Sequence, residues 1–484
     1  MIFTGDSEAF LRVPVFNLPK VHQQVMERLN VYSSDLQGSK KRSVVYRMQR
    51  HEREIIGVDD RVSVSRAIPL GIQHMMSMFG STVLVPVLTG LDPNVAIMCS
   101  GIGTICYLLV TRNKIPSYLG SSFAFISPIV IIGATRGLNA ALSGVVVAGL
   151  VFLAVAGIIK LVGTGWLDRL LPPVLVASVM VVIGVGLSAT AAKMAFQTTA
   201  ADGTTVFYGL GAIIAAITLF AAVIFSSMGG LIGTVPVLLA IILGYLVSLA
   251  CGLVDFQPVI DAAWIGLPAF QHPEWDWGAI ALIGPVALVV VIEHIGHLLA
   301  VGEIVGRDYR PMLPRSLAGD GISTVISGFL GGPPTTTYAE NIGVMSVTRV
   351  YSTQVFWYAA GFALVVGGFC PKLAALIRSI PSPVMGGVSL LLFGLIASNG
   401  LRMFVTNKVD FGANRNLMIA SVVIILGVGM ETSGISIPIG QYALPGMATS
   451  TLVGIIMNLV LPMPPAKKPA HSEATQDGPT APQS

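Results

Sequence analysis

Charge is what this chain has least of. Only 11% of its 484 residues are Asp, Glu, Lys or Arg, against about a quarter in an average soluble domain. With 54% hydrophobic residues, a water-soluble fold is excluded, because it has no way to cover so much apolar surface. A bilayer lifts that constraint. Spanning helices need about 20 mainly apolar residues each, and such runs recur from Ala67 to Leu461. Length alone would suit about three soluble domains, but spans this continuous point to one integrated bundle. Cysteine is scarce as well. Cys99, Cys106, Cys251 and Cys370 lie in or at the end of apolar runs without metal-ligand spacing, so they read as small packing residues. No cleavable leader is expected, since the first 60 residues are polar and basic.

Glycine, by contrast, is plentiful, with 53 copies, which suits close helix packing in lipid and broken helices. Residues 1–66 read as a cytosolic basic extension, with a short amphipathic helix around Val21–Leu29. Its cluster from Lys40 to Arg66 either fixes topology or meets anionic lipid. Fourteen spans follow: 67–90, 94–111, 117–134, 138–161, 173–192, 206–226, 230–252, 278–302, 316–332, 335–350, 353–370, 383–404, 416–430 and 442–462. Charge placement supports that parity. With both termini inside, 24 of the 28 basic residues are cytoplasmic, and outside the extension the split is still 13 to 4. The outer loop 253–277 has four acids and no Lys or Arg. The tail 463–484, rich in Pro, Ala, Lys and Ser, reads as disordered.

Two spans open with residues that favour extended backbone. Span three begins Pro116-Ser-Tyr-Leu-Gly-Ser-Ser-Phe-Ala-Phe-Ile-Ser-Pro128, and span ten begins Gly331-Gly-Pro-Pro-Thr-Thr-Thr-Tyr-Ala-Glu-Asn341. Each is the third of seven, so the pair suggests an inverted repeat with a ligand between its halves. Ordinary helices with Pro-rich entrances are the alternative.

Acids within spans carry the sharpest signal, because each costs about 2.5–3.5 kcal/mol on insertion scales. Glu293, Asp320 and Glu340 are the three, and His74, His294 and His297 are the embedded histidines. Glu293 and His297 stand four apart and so share a helix face. His294 is rotated about 100° from Glu293 and should point elsewhere. The pair can exchange a proton near neutrality, or it can bridge helices structurally. No third ligand is near enough in sequence for a metal site, and none is expected. Glu340 falls where span ten turns helical, beside bare N–H groups and a positive dipole end. That combination suits a small planar ring carrying both N–H donors and carbonyl acceptors, although a carboxylate there also caps its helix. Asp320, in Gly319-Asp-Gly321 at the start of span nine, is either a helix cap or part of a proton path.

The stretch Glu340-Asn-Ile-Gly-Val-Met-Ser-Val-Thr-Arg349 resembles the signature of the nucleobase–ascorbate transporter family, [Q/E/P]-N-x-G-x-x-x-x-T-[R/K/G], at every specified position. Three more blocks resemble its uracil-transporting branch: Gln73-His74 with Met78-Phe-Gly80, Gly120 to Pro128, and Glu293-His-Ile-Gly-His297. The resemblance covers about residues 67 to 460. It implies an all-α membrane protein of 14 transmembrane segments in two inverted seven-span repeats. A core domain (spans 1–4 and 8–11) would hold substrate and a gate domain (5–7 and 12–14) would move against it. It also implies uracil bound by Glu293 and Glu340 with main-chain help at Phe123 and Ala339, and Ser81 and Tyr338 beside the pocket. Proton coupling would involve Glu293, His297 and His74, and Asp320 joins them on the proton-path reading given above. No cofactor beyond the coupling proton and no nucleic-acid partner is implied. A homodimer in the bacterial inner membrane is. Phe393 departs from the Tyr of that branch, Ser81 replaces a small apolar residue, and Asp320 replaces an Asn.

Two other transport readings remain from the same resemblance: a purine (xanthine or uric acid) symporter, and an anion transporter of the same fold. Gln in place of Glu340 would favour the first, and a pocket without acids the second. A membrane-embedded enzyme finds no Ser/Lys, Asp/Asp or zinc constellation to support it.

Overall fold

The computed structural model describes residues 55–462 apart from 201, 440 and 441. The expected helix around Val21–Leu29, the rest of the extension before 55 and the tail 463–484 lie outside the described residues.

The chain is mostly helical. In order it forms α1 (Val64–Ser77), α2 (Phe79–Thr89), α3 (Pro93–Val110), strand β1 (Leu119–Ser121), α4 (Ile126–Arg136), α5 (Leu138–Val162), α6 (Gly165–Leu170) and α7 (Pro173–Phe196). A small hairpin, β2 (Gln197–Thr199) with β3 (Thr205–Phe207), leads to α8 (Gly209–Ser227), α9 (Pro236–Ala250), α10 (Gln257–Asp261), α11 (Trp277–Ile283) and α12 (Val286–Val305). Then come α13 (Leu313–Leu330), β4 (Thr335–Thr337), α14 (Ala339–Thr348), α15 (Thr353–Phe362), α16 (Pro371–Arg378), α17 (Ser382–Thr406), α18 (Asn414–Ser433), the hairpin β5 (Ile437–Ile439) and β6 (Tyr442–Leu444), and α19 (Gly446–Val460).

Among the described residues seven helices are long and apolar enough to cross a membrane, or up to nine if two bent pairs each count as one span. Three apolar helices are shorter: Phe123–Arg136, Pro236–Ala250 and Gly446–Val460. Exposed Phe220, Ile425 and Val405 give the helices apolar outer faces, as a hydrocarbon surround demands.

Local chemistry sets the helix ends. Asp92 accepts hydrogen bonds from the Asn94 and Val95 N–H groups and Pro93 occupies the first turn, which starts α3 cleanly. Where α1 meets α2 the axis bends by 41°. The Ser77 and Ser81 hydroxyls donate to the His74 and Met78 carbonyls around that break. After α15 the chain turns by 84° into α16, where Pro371 cannot continue a helix ladder. Gly149 of α5 and Gly321 of α13 let two helices touch backbone to backbone: a Cβ on Gly149 would sit 2.8 Å from the Gly321 carbonyl oxygen.

Packing sorts the helices into two sets. The α13 helix lies along α5 and α3, and α15 along α1, while α17 lies along α7 and α8, and α18 along α7 and α19. Within the first set the chain is extended at two entrances, β1 packing on α3 and β4 on α13. β1 and β4 pair antiparallel, with Leu119 opposite Thr337, Gly120 opposite Thr336 and Ser121 opposite Thr335. Mutual pairing satisfies backbone groups that lipid-depth surroundings would leave bare. Side chains finish the task. The Leu119 N–H donates to the Thr104 hydroxyl at 2.9 Å, and the Ser327 and Thr324 hydroxyls donate to the Pro333 and Thr335 carbonyls.

Two expectations need correcting. The helix carrying Asp320 begins at Leu313, so Asp320 sits in mid-helix and does not cap it; Pro314 in the first turn allows the earlier start. Cys251, at the end of α9, is exposed rather than packed.

Candidate functional site

The β1–β4 crossing aims two helix starts at one place. After β1 a short 3-10 turn, Phe123–Phe125, runs into α4, and after β4 the chain enters α14 at Ala339. First-turn N–H groups have no partner within their own helix, and Glu340 lies in the first turn of α14. Ala339 and Glu340 are exposed although both lie deep among the helices, so they face an internal crevice rather than an outer surface. Glu340, Gly343 and Ser346 recur on one face of α14 and are all exposed. That face is therefore open from the crossing to the helix's C-terminal end.

Glu293 reaches the crossing from α12. It is half-buried, and its carboxylate is near enough to Glu340 for the two charges to interact. With Ser122, Phe123, Thr336 and Tyr338 it lines an enclosed space of about 30 Å³, closed on the far side by Met180 and Ile183 of α7 and Ile396 of α17. Tyr338, 6% exposed, donates its hydroxyl to the Ser121 carbonyl and is also in hydrogen-bond contact with Ser81. Phe123 packs edge-on between Tyr338 and Phe393, with ring centroids 6.1 Å away in each case. Of the expected substrate residues, Glu293, Phe123 and Tyr338 line this space together, Ser81 touches Tyr338, and Ala339 and Glu340 open the helix that follows Tyr338.

The histidines are arranged differently from the expected pairing. No hydrogen bond joins Glu293 to His297; the His297 Nδ1 lies 3.3 Å from the Thr337 hydroxyl instead. Helical stacking brought Glu293 and His297 to one face, but β4 supplies a nearer partner. His294, on another face, makes the buried pair: its Nδ1 is 2.7 Å from the Asp320 Oδ2, and both side chains are fully buried. The His294 Nε2 meets the Ser316 hydroxyl at 2.7 Å, and Tyr107 meets the same hydroxyl at 2.6 Å. Asp320 also accepts from the Thr336 hydroxyl at 3.3 Å. His74 makes a separate set of contacts. Its Nδ1 lies 2.8 Å from the Asn341 Oδ1 and its ring packs on Phe356.

Sequence reasoning set His294 aside and missed the contacts of Ser316, Tyr107, Thr337 and Asn341. Asn341 carried a signal, as the second residue of the motif. The others carried none beyond being polar within apolar runs.

Comparison with known proteins agrees with this arrangement. A family model described as the permease family matches residues 65–434. The chain belongs to this permease family. The resemblance read from its motifs is thereby borne out, and the chain is a multi-pass membrane transporter rather than an enzyme. The uracil permease of Bacillus subtilis (strain 168) is 46% identical to this permease over 430 residues, covering 86% of this chain and 98% of that one. The uracil permease of Escherichia coli (strain K12) is 45% identical over 414 residues, covering 84% and 94%. Among solved structures, the transmembrane domain of a cyanobacterium bicarbonate transporter, BicA, superposes with a TM-score of 0.56 at 16% identity, covering 84% of this chain and all of that one. That likeness places the permease in a transporter fold and says nothing of its cargo.

Proposed function

We propose that this permease carries uracil, or a closely related pyrimidine base, into the cell together with a proton, by alternating access. The observation that carries the reading is the meeting of Glu293 and Glu340 at the β1–β4 crossing, beside two helix N-termini. Carboxylates accept the ring N–H hydrogens, and main-chain N–H groups near Phe123 and Ala339 meet the ring oxygens. Each buried polar group left unpaired would cost about 1–3 kcal/mol, so a ring with the wrong edge is rejected. Tyr338 and Ser81 shape the pocket wall, and Phe123 and Phe393 cover the ring faces. The 46% identity to a uracil permease favours uracil over a purine, as does an acid rather than an amide at Glu340. The anion-transporter reading, which the BicA-like fold raises, is disfavoured by two acids in the crevice.

In this reading Glu293, His297, His74 and Asp320 take part in proton coupling, and no cofactor is needed beyond that proton. Fourteen spans form two inverted seven-span repeats. Spans 1–4 and 8–11, the set built on α13 and α5, form the core. Spans 5–7 and 12–14, built on α17 and α7, form the gate. Met180, Ile183 and Ile396 line the same space as Glu293, so a relative movement of the two sets would open that space to a ring. The permease sits as a homodimer in the inner membrane with both termini cytoplasmic.

The test is competition of radiolabelled uracil uptake in proteoliposomes by a panel of bases, with and without an imposed pH gradient. Uracil uptake that is driven by inward protons and displaced by pyrimidines is expected. Uptake of purines or inorganic anions in place of uracil overturns the assignment.

A further inference from the structure

We propose that residues 262–270, together with Trp275 and Trp277, form a lipid-contact edge. This edge rests in the interfacial layer of the bilayer and seats there the joint at which two crossings between the helix sets meet. It does so whichever solute is carried. Residues 262–270 run Ala-Ala-Trp-Ile-Gly-Leu-Pro-Ala-Phe, in the loop between α9 and α11. The run has no charged side chain, and the Trp264 indole is its one hydrogen-bonding side chain. Water would drive such a run inward. It faces outward instead: Trp264 is 73% exposed, Ile265 86% and Leu267 78%. Trp275 and Trp277 are exposed too, so three of the five tryptophans stand open within residues 264–277. A large exposed apolar patch marks an interaction surface, and tryptophan, apolar in its ring and polar at its N–H, favours the membrane interface.

Continuity with the lipid-facing helices names the partner. Trp277 opens α11, and Ala281, one turn further along the same face, is exposed as well. On another side the Gly266 N–H donates to the Phe369 carbonyl at 3.1 Å. Phe369 closely follows the last turns of the α15 span, where Val365 and Val366 are exposed. The lipid that wets α11 and α15 therefore reaches this edge without any further partner. Its depth is limited. Irregular backbone is not tolerated against hydrocarbon, and the exposed acids Asp261 and Glu274 stand on either side of the run. The edge is thus held at the level of the headgroups and the tops of the acyl chains.

Lys372 of α16 fastens the loop. Its Nζ donates to the Val259 and Ile260 carbonyls at 2.7 and 3.2 Å, and its backbone N–H donates to the Ala263 carbonyl at 3.1 Å. The same ammonium lies 5.2 Å from the centre of the Trp264 ring. A Cβ on Gly266 would stand 2.8 Å from the Pro371 ring, so the two segments touch closely. One of them leads from α9, packed on α8, to α11, packed on α5; the other leads from α15 to α17. Each passes between the two helix sets, in opposite directions. Lipid contact at Trp264 therefore gives both crossings one fixed point in the bilayer.

The experiment places the purified permease, carrying Trp166→Phe and Trp357→Phe, in vesicles of phosphatidylcholine brominated either high or low on its acyl chains. Emission then comes from Trp264, Trp275 and Trp277 alone. It is expected to be shifted to the blue of indole in water, to be quenched more by the high bromines than by the low ones, and to resist aqueous iodide. Trp264→Phe in that background should remove part of the lipid-quenched signal. Emission that iodide quenches and neither lipid does overturns the proposal, because the edge then lies in water. Emission that none of the quenchers reaches also overturns it, because protein, such as a second copy of the chain, then covers the edge. If the double variant does not fold, the wild-type permease is illuminated in vesicles of phosphatidylcholine bearing a photoreactive group at the top of the acyl chain. Label mapped to residues 262–277 by mass spectrometry supports the proposal. Label on the spanning helices but not on those residues overturns it.

Discussion

Asn341, the second residue of the motif, binds His74: the His74 Nδ1 lies 2.8 Å from the Asn341 Oδ1, with both side chains buried. The Ser77 hydroxyl donates to the same oxygen at 3.3 Å, and the Asn341 amide donates to the Met78 sulfur. One amide therefore ties α14 to the bend between α1 and α2. Replacing it strands several polar atoms. Asn341→Ala should cost about 1–3 kcal/mol, seen as a lower melting temperature of the purified permease in detergent. An unchanged melting temperature would mean that this buried contact contributes nothing to stability.

Glu293→Gln separates binding from coupling. The amide keeps the shape of the side chain and one acceptor oxygen, but it cannot gain and lose a proton at neutral pH. Positioned proton transfer contributes about 10²–10⁴-fold to rates in general. Proton-driven uptake by this variant should fall by about a hundredfold on that scale, with a much smaller change in uracil affinity by calorimetry. Normal proton-driven uptake would remove Glu293 from the coupling step.

Glu340→Gln tests the contact role directly. An ionised carboxylate is acceptor-only at both oxygens, whereas an amide presents one acceptor and one donor. A mismatched donor leaves buried groups unpaired at about 1–3 kcal/mol, so uracil affinity should drop about tenfold or more and purines should begin to compete. Competition binding with a set of bases reads both effects. Uracil affinity equal to that of wild type is the outcome that rules the contact out.

What was legible in the sequence was whatever lipid forces on a chain locally. Apolar length marked the long helices, and the Gly, Pro and Thr runs marked the extended backbone of β1 and β4. The cost of an acid in an apolar run singled out Glu293, Glu340 and Asp320. Pairing was less legible, because it depends on how helices turn about their own axes. Glu293 and His297 do share a face, yet Thr337, forty residues away in sequence, takes the histidine. The partner of Asp320 was the histidine set aside. Residues 55–62 were also opaque: they lack periodicity, and their fixed position comes from charges and carbonyls distant in sequence.

That short segment supports the last prediction. Ile56 bridges to Val350, and the Ser352 hydroxyl donates to the Asp60 carbonyl at 2.6 Å. Asp59 accepts from Arg307 at 2.8 Å and from Lys114 at 3.1 Å, joining the loops after α12 and α3. These bonds, that from Arg307 foremost, hold the Asp59 carboxyl below its ordinary range. Its side chain is half exposed, so the contribution is that of a surface pair, about 0.2–1 kcal/mol and weaker in salt. A carboxyl whose folded-state value is depressed stabilises the fold above its unfolded value, and that contribution fades as pH falls through the folded one. Asp59→Asn should therefore lower thermal stability by up to about 1 kcal/mol at neutral pH and low salt. The gap from wild type should hold steady down to about pH 5 and close below the ordinary carboxyl value near 4. Melting curves at several pH values, in low and high salt, check this. A gap that widens in acid, or that salt leaves untouched, would mean that the segment is held by contacts other than these charges.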